Sequence, residues 1–121
     1  MSEHPTTLPA LPGEGATVNE WAKHVAAYRE TKGFETSWDN VVEKLCLCHS
    51  ELSEALEEIR AGRLAEYFEA SGKPAGFWVE IADLLIRVFD LAGSLGCDLD
   101  RVLRLKQAYN LTRPPKHGKR L

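Results

Sequence analysis

The sequence predicts an all-α protein whose protomer is an antiparallel four-helix bundle that packs into a homo-oligomer. Three observations lead to this prediction. Apolar residues recur at the period of a helix over long segments, cap and stop signals divide these segments into four helices, and no segment alternates as a strand does. The links between the predicted helices are short, which favours antiparallel neighbours.

An amino-terminal arm precedes the first helix. Residues 1–16 are rich in proline and glycine and lack core-forming residues, so we expect a flexible arm. Thr17 and Glu20 have the spacing of a capping box, in which each side chain accepts a hydrogen bond from the other residue's amide. The first helix should therefore start at this box and end near Lys32, before Gly33.

The second helix is predicted from about Trp38 to Arg60, with Ser37 as its amino-terminal cap. Its apolar residues follow the helical period closely. Residues 62–76 connect it to the third helix, and the sequence allows one or two helical turns over 64–70.

The third helix is predicted over roughly Ala75 to Leu95, and the fourth begins at a cap provided by Asp98. The third is apolar around most of its circumference, more than the other helices of one protomer are expected to cover. We therefore expect a homodimer or a homotetramer. The helical domain spans 17–113, and a basic tail, 114–121, follows it.

Composition and charge argue against several classes of protein. A net charge of -3 over 121 residues disfavours binding to nucleic-acid polymers. No stretch is long and uncharged enough to span a bilayer, and the first residues lack the pattern of a signal peptide, so we expect a cytoplasmic protein without membrane contact. The three cysteines follow no disulfide or zinc pattern.

Four acidic residues form the candidate metal site. Glu51 and Glu54 lie one turn apart on the second predicted helix, and Glu80 and Asp83 lie one turn apart on the third. The second pair belongs to a narrow charged stripe on an otherwise apolar helix, so the stripe should be buried or line a cleft. Buried carboxylates are costly unless a cation compensates them, and oxygen ligands suit Mg²⁺, with Mn²⁺ as a substitute. The alternative is an internal ion-pair network with Arg87, one turn beyond Asp83.

A second group of residues carries positive charge. Lys106, Asn110 and Arg113 share one face of the fourth predicted helix, and Lys116 and His117 follow it. Arg and Lys side chains bind phosphate oxygens, so this strip together with bound Mg²⁺ predicts a polyphosphate site. The alternative is a solvated basic tail.

The carboxylate spacing resembles the E-x-x-E, E-x-x-D signature of the all-α nucleoside triphosphate pyrophosphohydrolases, the MazG-like superfamily that includes the dimeric dUTPases and dCTP pyrophosphatases. The segment from Lys106 to Pro114 and the surroundings of both acidic pairs are similar to one small MazG-like subgroup, so the resemblance covers roughly 32–121. It implies hydrolysis between the α and β phosphates to give a monophosphate and pyrophosphate, by a dimer or tetramer of helical protomers. It also implies that Mg²⁺ is held by four carboxylates: Glu51, Glu54, Glu80 and Asp83.

The predicted function is therefore Mg²⁺-dependent (d)NTP pyrophosphohydrolysis, with nucleotide-pool sanitation as its role. In this interpretation Glu54, in preference to Glu51, takes the proton of the attacking water, and Trp38 stacks on the base. The rival prediction is a non-catalytic helical oligomerisation or regulatory module whose acidic stripe is a structural ion-pair network.

Overall fold

The computed structural model describes residues 7–118, and its secondary structure is mostly helical, which confirms the all-α prediction. The predicted arm and tail are therefore described only in part, because residues 1–6 and 119–121 lie outside this range. The helices are α1 (Val18–Thr31), α2 (Val41–Arg60), α3 (Phe77–Leu95) and α4 (Leu99–Leu111), followed by a short 3-10 helix, Pro115–Gly118. Two short strands, β1 (Tyr67–Phe68) and β2 (Pro74–Ala75), form an antiparallel hairpin between α2 and α3.

The predicted caps of α1 and α4 are both present. The Glu20 amide donates to Thr17 Oγ1 at 3.1 Å, and the Thr17 amide donates to Glu20 Oε1 at 3.2 Å, which completes the capping box. Asp98 accepts from the Arg101 amide at 3.1 Å at the start of α4. Asn19 ties the two helix starts together, since its side-chain amide donates to Asp98 at 2.8 Å.

The predicted start of α2 is wrong by one helical turn. Ser37 does not cap this helix, because its amide donates to the Asn40 side chain at 2.9 Å within a turn. Asn40 also donates to the carbonyl of Glu35 at 2.8 Å, so its side chain stabilises the turn before the helix. The helix begins at Val41, and Trp38 lies in the turn rather than on the helix.

The helical turns allowed over 64–70 do not form, because this segment folds into the hairpin. Tyr67 pairs with Ala75 across the two strands. Gly76 then separates the hairpin from α3 with a φ of 118°, and a Cβ there would lie 2.5 Å from the carbonyl oxygen of Ala65. Because Ala75 belongs to β2, α3 begins at Phe77 and not at the predicted Ala75.

The central helix is α3, which packs along α1 on one side and along α2 on the other, whereas α4 makes few contacts, mainly with α1. Gly93 allows the close approach of α1 and α3, because a Cβ at this position would lie 2.2 Å from the carbonyl oxygen of Ala22. The buried apolar residues are small, and they are Ala22, Val25, Ala55, Ala75 and Ala92.

Many large apolar side chains remain exposed in a single chain. Examples are Val42 on α2, Trp78 and Leu85 on α3, and Leu105 on α4. Their exposure agrees with the expectation that one protomer cannot cover its own apolar surface, although association itself stays a prediction. Within residues 7–118, no helix is both long and apolar enough to cross a membrane.

Candidate metal centre

Three of the four predicted carboxylates come together where α2 packs against the start of α3. Glu51, Glu54 and Glu80 each offer one oxygen atom, and these atoms lie within 4.8 Å of one another. Glu51 and Glu54 are one helical turn apart and therefore share a face of α2, while Glu80 lies in the first turn of α3. A cluster of carboxylate oxygens with this spacing suits a hard cation such as Mg²⁺ or Mn²⁺.

Glu51 is the buried member of this cluster, with 7% of its surface exposed. Its Oε1 atom accepts a hydrogen bond from Arg87 Nε at 2.8 Å, so the arginine pairs across the helices with Glu51. Its Oε2 atom is also buried and has no hydrogen-bond partner among the described residues. An unpartnered buried carboxylate oxygen is costly, and a cation bound between Glu51 and its neighbours would remove that cost.

The carboxyl group of Glu80 binds its proton more tightly than an ordinary glutamate does. Burial raises the pKa of Glu80 from an ordinary value of 4.5 to about 7, and a hydrogen bond with Glu54 adds to the increase. The negative charges of Glu54, Asp83 and Glu51 act in the same direction. Without a cation, Glu80 therefore keeps its proton up to near-neutral pH, and a divalent ion would compete with that proton.

Asp83 lies beside the cluster rather than within the group of three. Burial raises the pKa of Asp83, and the charge of Glu51 raises it further, whereas Arg87 and Lys73 lower it. The Asp83 carboxylate is thus close enough for its pKa to respond to Glu51 of the cluster and to the charges of Arg87 and Lys73. Its role as a fourth metal ligand stays a prediction.

An open cleft of about 460 Å³ reaches two of the carboxylates, Glu54 and Glu80. Glu54 and Glu80 line it from the two helices, and Glu69 and Lys73 line it from the hairpin. Two further acidic residues of the lining are neutralised locally. Glu57 pairs with Arg60 at 2.8 Å, and Glu58 pairs with Arg63 at 2.7 Å.

The other end of the charged stripe on α3 is structural. Asp90 is buried and accepts hydrogen bonds from the hydroxyl groups of Thr36 and Ser94. Arg29 Nε lies 3.3 Å from the same carboxylate, and the Arg29 guanidinium lies over the ring of Phe34 at 4.3 Å. The stripe therefore divides into an end near Glu80 that belongs to the carboxylate cluster and an ion-pair end at Asp90.

Lys106 and Asn110 of the carboxy-terminal strip lie on α4, which packs against α1. The helix ends at Leu111, so Arg113 follows it and does not share the helical face predicted for the three residues. The Lys106 ammonium lies 5.2 Å from the centre of the Tyr109 ring, and the Arg113 guanidinium lies 5.9 Å from it. Asn110 donates to Gln107 at 3.4 Å. Within residues 7–118, neither Lys106 nor Asn110 makes a hydrogen bond or ion pair with the carboxylate cluster, so a single chain does not join them to it.

The remaining predicted residues lie apart from this cluster in sequence. Lys116 is exposed, and His117 belongs to the 3-10 helix. Trp38 is 73% exposed in the turn before α2, so its ring is accessible to a ligand. Sequence analysis missed Lys73 because no hairpin was predicted there, although Gly72 and Pro74 around it indicate a turn.

Comparison with protein-family models, with curated proteins and with solved structures gives no match to this chain. The resemblance to the MazG-like enzymes therefore rests on the sequence motifs alone. The geometry of the carboxylates is a separate observation.

Proposed function

We propose that the protein is a Mg²⁺-dependent nucleoside triphosphate pyrophosphohydrolase that converts a (d)NTP and water into a (d)NMP and pyrophosphate. The observation that carries the proposal is the buried, unpartnered Oε2 atom of Glu51 beside Glu54 and Glu80. An acidic cluster on a protein surface is common without a metal, but a buried carboxylate oxygen without a donor favours a bound cation. Nucleotide-pool sanitation in the cytoplasm is the cellular role that we propose for this activity.

The residues of the cluster take different parts in this proposal. Glu51, Glu54, Glu80 and Asp83 would hold the metal, whose chemistry would be to offset the charge of the polyphosphate and to make the attacking water more acidic. Arg87 keeps Glu51 oriented through its hydrogen bond at 2.8 Å. Glu54 is exposed to the cleft and makes no such ion pair within residues 7–118, which supports its choice over Glu51 as the acceptor of the water's proton.

Phosphate binding by the carboxy-terminal strip requires a second protomer in this proposal. Because α4 packs against α1, the strip would serve the carboxylates of a partner chain in a homodimer or homotetramer. The exposed apolar side chains of α2, α3 and α4 support such an association between protomers, each of which we propose to be an antiparallel four-helix bundle. Lys106, Asn110 and Arg113 would then bind the polyphosphate together with Lys116 and His117, and Trp38 would stack on the base.

A second candidate function is a non-catalytic oligomerisation or regulatory module. The ion pair between Arg87 and Glu51 and the buried network around Asp90 favour it, because both show that acidic residues of this protein serve packing. In that case the exposed apolar faces would serve assembly alone. The unpartnered oxygen of Glu51 is the feature that this alternative leaves without an explanation.

The test is pyrophosphate release over a panel of canonical, modified and non-nucleotide substrates with Mg²⁺. We expect release from at least one (d)NTP by the wild-type protein and none by Glu54→Gln or Asp83→Asn. Glu14→Gln, an exposed change in the arm, is the matched control and should keep full activity. Absence of release from every substrate, together with a melting temperature that Mg²⁺ and Mn²⁺ leave unchanged, would favour the non-catalytic module.

A further inference from the structure

Lys73 introduces a positive charge into a cleft whose other charged residues are acidic. It directly precedes β2 in the hairpin and lines the same cleft as Glu54 and Glu80. Lys73 is the only basic residue among the described residues that line this cleft. A cation at this place is suited to an anion that enters the cleft, provided that the side chain is not already paired.

The side chain of Lys73 is not committed to a partner. Its ammonium group makes no hydrogen bond or ion pair within residues 7–118, although its charge lowers the pKa of nearby Asp83. Two of the acidic residues that line the same cleft, Glu57 and Glu58, pair with Arg60 and Arg63. Lys73 is therefore available to a ligand.

The backbone that carries Lys73 is fixed relative to α2. The Glu69 amide donates to the Lys73 carbonyl at 2.9 Å across the turn of the hairpin. Arg63 precedes the hairpin, and its side chain pairs with Glu58 of α2 at 2.7 Å, while its carbonyl accepts from the Phe77 amide at 3.0 Å. The base of the hairpin is thus held between the end of α2 and the start of α3, the two helices that supply the carboxylates.

We propose that Lys73 binds a phosphate oxygen of the polyphosphate substrate, and of the pyrophosphate product, beside the metal held by the carboxylates. This inference rests on the proposed function, because without a metal the acidic lining would repel a phosphate anion. With the metal bound, much of the negative charge of the cluster would be offset, and the ammonium group would provide a charge-assisted hydrogen bond from a second direction. The protomer then contributes its own phosphate-binding cation, independent of the carboxy-terminal strip of a partner.

The experiment measures two binding steps separately on the full chain. Mn²⁺ binding is followed by electron paramagnetic resonance, and pyrophosphate binding in saturating Mn²⁺ is followed by calorimetry. The variants are Lys73→Ala, Lys73→Arg and the control Lys23→Ala, an exposed lysine of α1. Circular dichroism establishes that each variant keeps the helical fold.

We expect Lys73→Ala to bind Mn²⁺ as the wild-type protein does and to bind pyrophosphate at least about tenfold more weakly, the loss of one charged hydrogen bond. Lys73→Arg should recover most of this affinity, since it keeps the charge and donor capacity, and Lys23→Ala should match the wild type. Equal pyrophosphate affinity in Lys73→Ala and the wild type would overturn the role of Lys73 alone, as would a wild-type protein that binds Mn²⁺ but no pyrophosphate. A wild-type protein that binds no Mn²⁺ would overturn the proposed function and this inference together.

Discussion

Replacing Glu80 by glutamine should stabilise the metal-free protein at alkaline pH and leave it nearly unchanged at acid pH. The folded state holds the proton of Glu80 up to about pH 7, whereas the unfolded chain releases it near its ordinary pKa of 4.5. Between these values the folded state binds more protons, so the free energy of unfolding falls as the pH rises. Glutamine carries no charge in either state, so the free energy of unfolding of the variant does not fall in this way as the pH rises.

The size of the effect follows from the two pKa values. At about 1.4 kcal/mol for each pKa unit, the gap between 4.5 and about 7 sets an upper limit of about 3 kcal/mol. Glu80 is only half-buried, and solvent screening reduces this limit to about 1–2 kcal/mol. We expect the variant to exceed the wild type by this amount at about pH 8 and by little at about pH 5.

Urea unfolding followed by circular dichroism measures the difference, with Glu14→Gln as the control for an exposed glutamate. The comparison is repeated with saturating Mg²⁺, where the order should reverse because the wild-type cluster binds the ion more tightly than the variant does. If the variant and the wild type differ equally at both pH values, the pKa of Glu80 is not raised in the folded protein. If Mg²⁺ stabilises both equally, Glu80 is not a ligand.

Four further predictions test the packing, the strip and the assembly. Arg87→Ala should destabilise the protein by about 2–3 kcal/mol in urea unfolding, because it leaves Glu51 buried and unpaired. This cost is smaller than that of breaking a fully buried ion pair because the Arg87 side chain is 26% exposed. The exposed Arg104→Ala control should cost under about 1 kcal/mol, and an equal cost would contradict this reasoning. Gly93→Ala should cost at least about 2 kcal/mol in the same assay because its methyl group meets α1, whereas Gly13→Ala, with open space around it, should be nearly neutral. Arg113→Ala should raise the KM for the nucleotide about tenfold or more if the strip binds phosphate. Unchanged kinetic constants would support the alternative that the strip is a solvated basic tail. Specific activity should fall on dilution together with the mass measured by light scattering, and a fully active monomer would refute the shared site.

Local sequence signals predicted the helix starts only where the cap forms within the helix itself. The capping box of Thr17 and Glu20 needs residues three apart, and it forms as expected. Ser37 has the right residue type for a cap, but Asn40 competes for its amide and moves the helix start to Val41. The hairpin escaped prediction because strands of two residues have no period to detect, and their pairing joins residues on either side of a turn.

The carboxylate cluster was predictable in part for the same physical reason. Residues one turn apart on a helix share a face whatever the tertiary packing, so Glu51 and Glu54 could be paired from spacing alone. Their meeting with Glu80 depends on how α2 packs against α3, and the motif resemblance anticipated it where periodicity did not. The ion-pair partner of Arg87 could not be predicted from spacing alone. Spacing suggested Asp83 on the same helix, whereas helix packing places Glu51 of α2 against Arg87.

The close contact at Gly93 also restricts how sequences of this kind can diverge. Any side chain added at Gly93 would meet the carbonyl of Ala22, so the two helices could accept it only by separating. Separation would move α3, which carries Glu80 and Asp83, relative to the rest of the chain. We therefore expect related proteins to keep glycine at this position even where exposed apolar residues vary freely. A substitution far from the cleft along α3 would then be selected against through the carboxylates that it displaces.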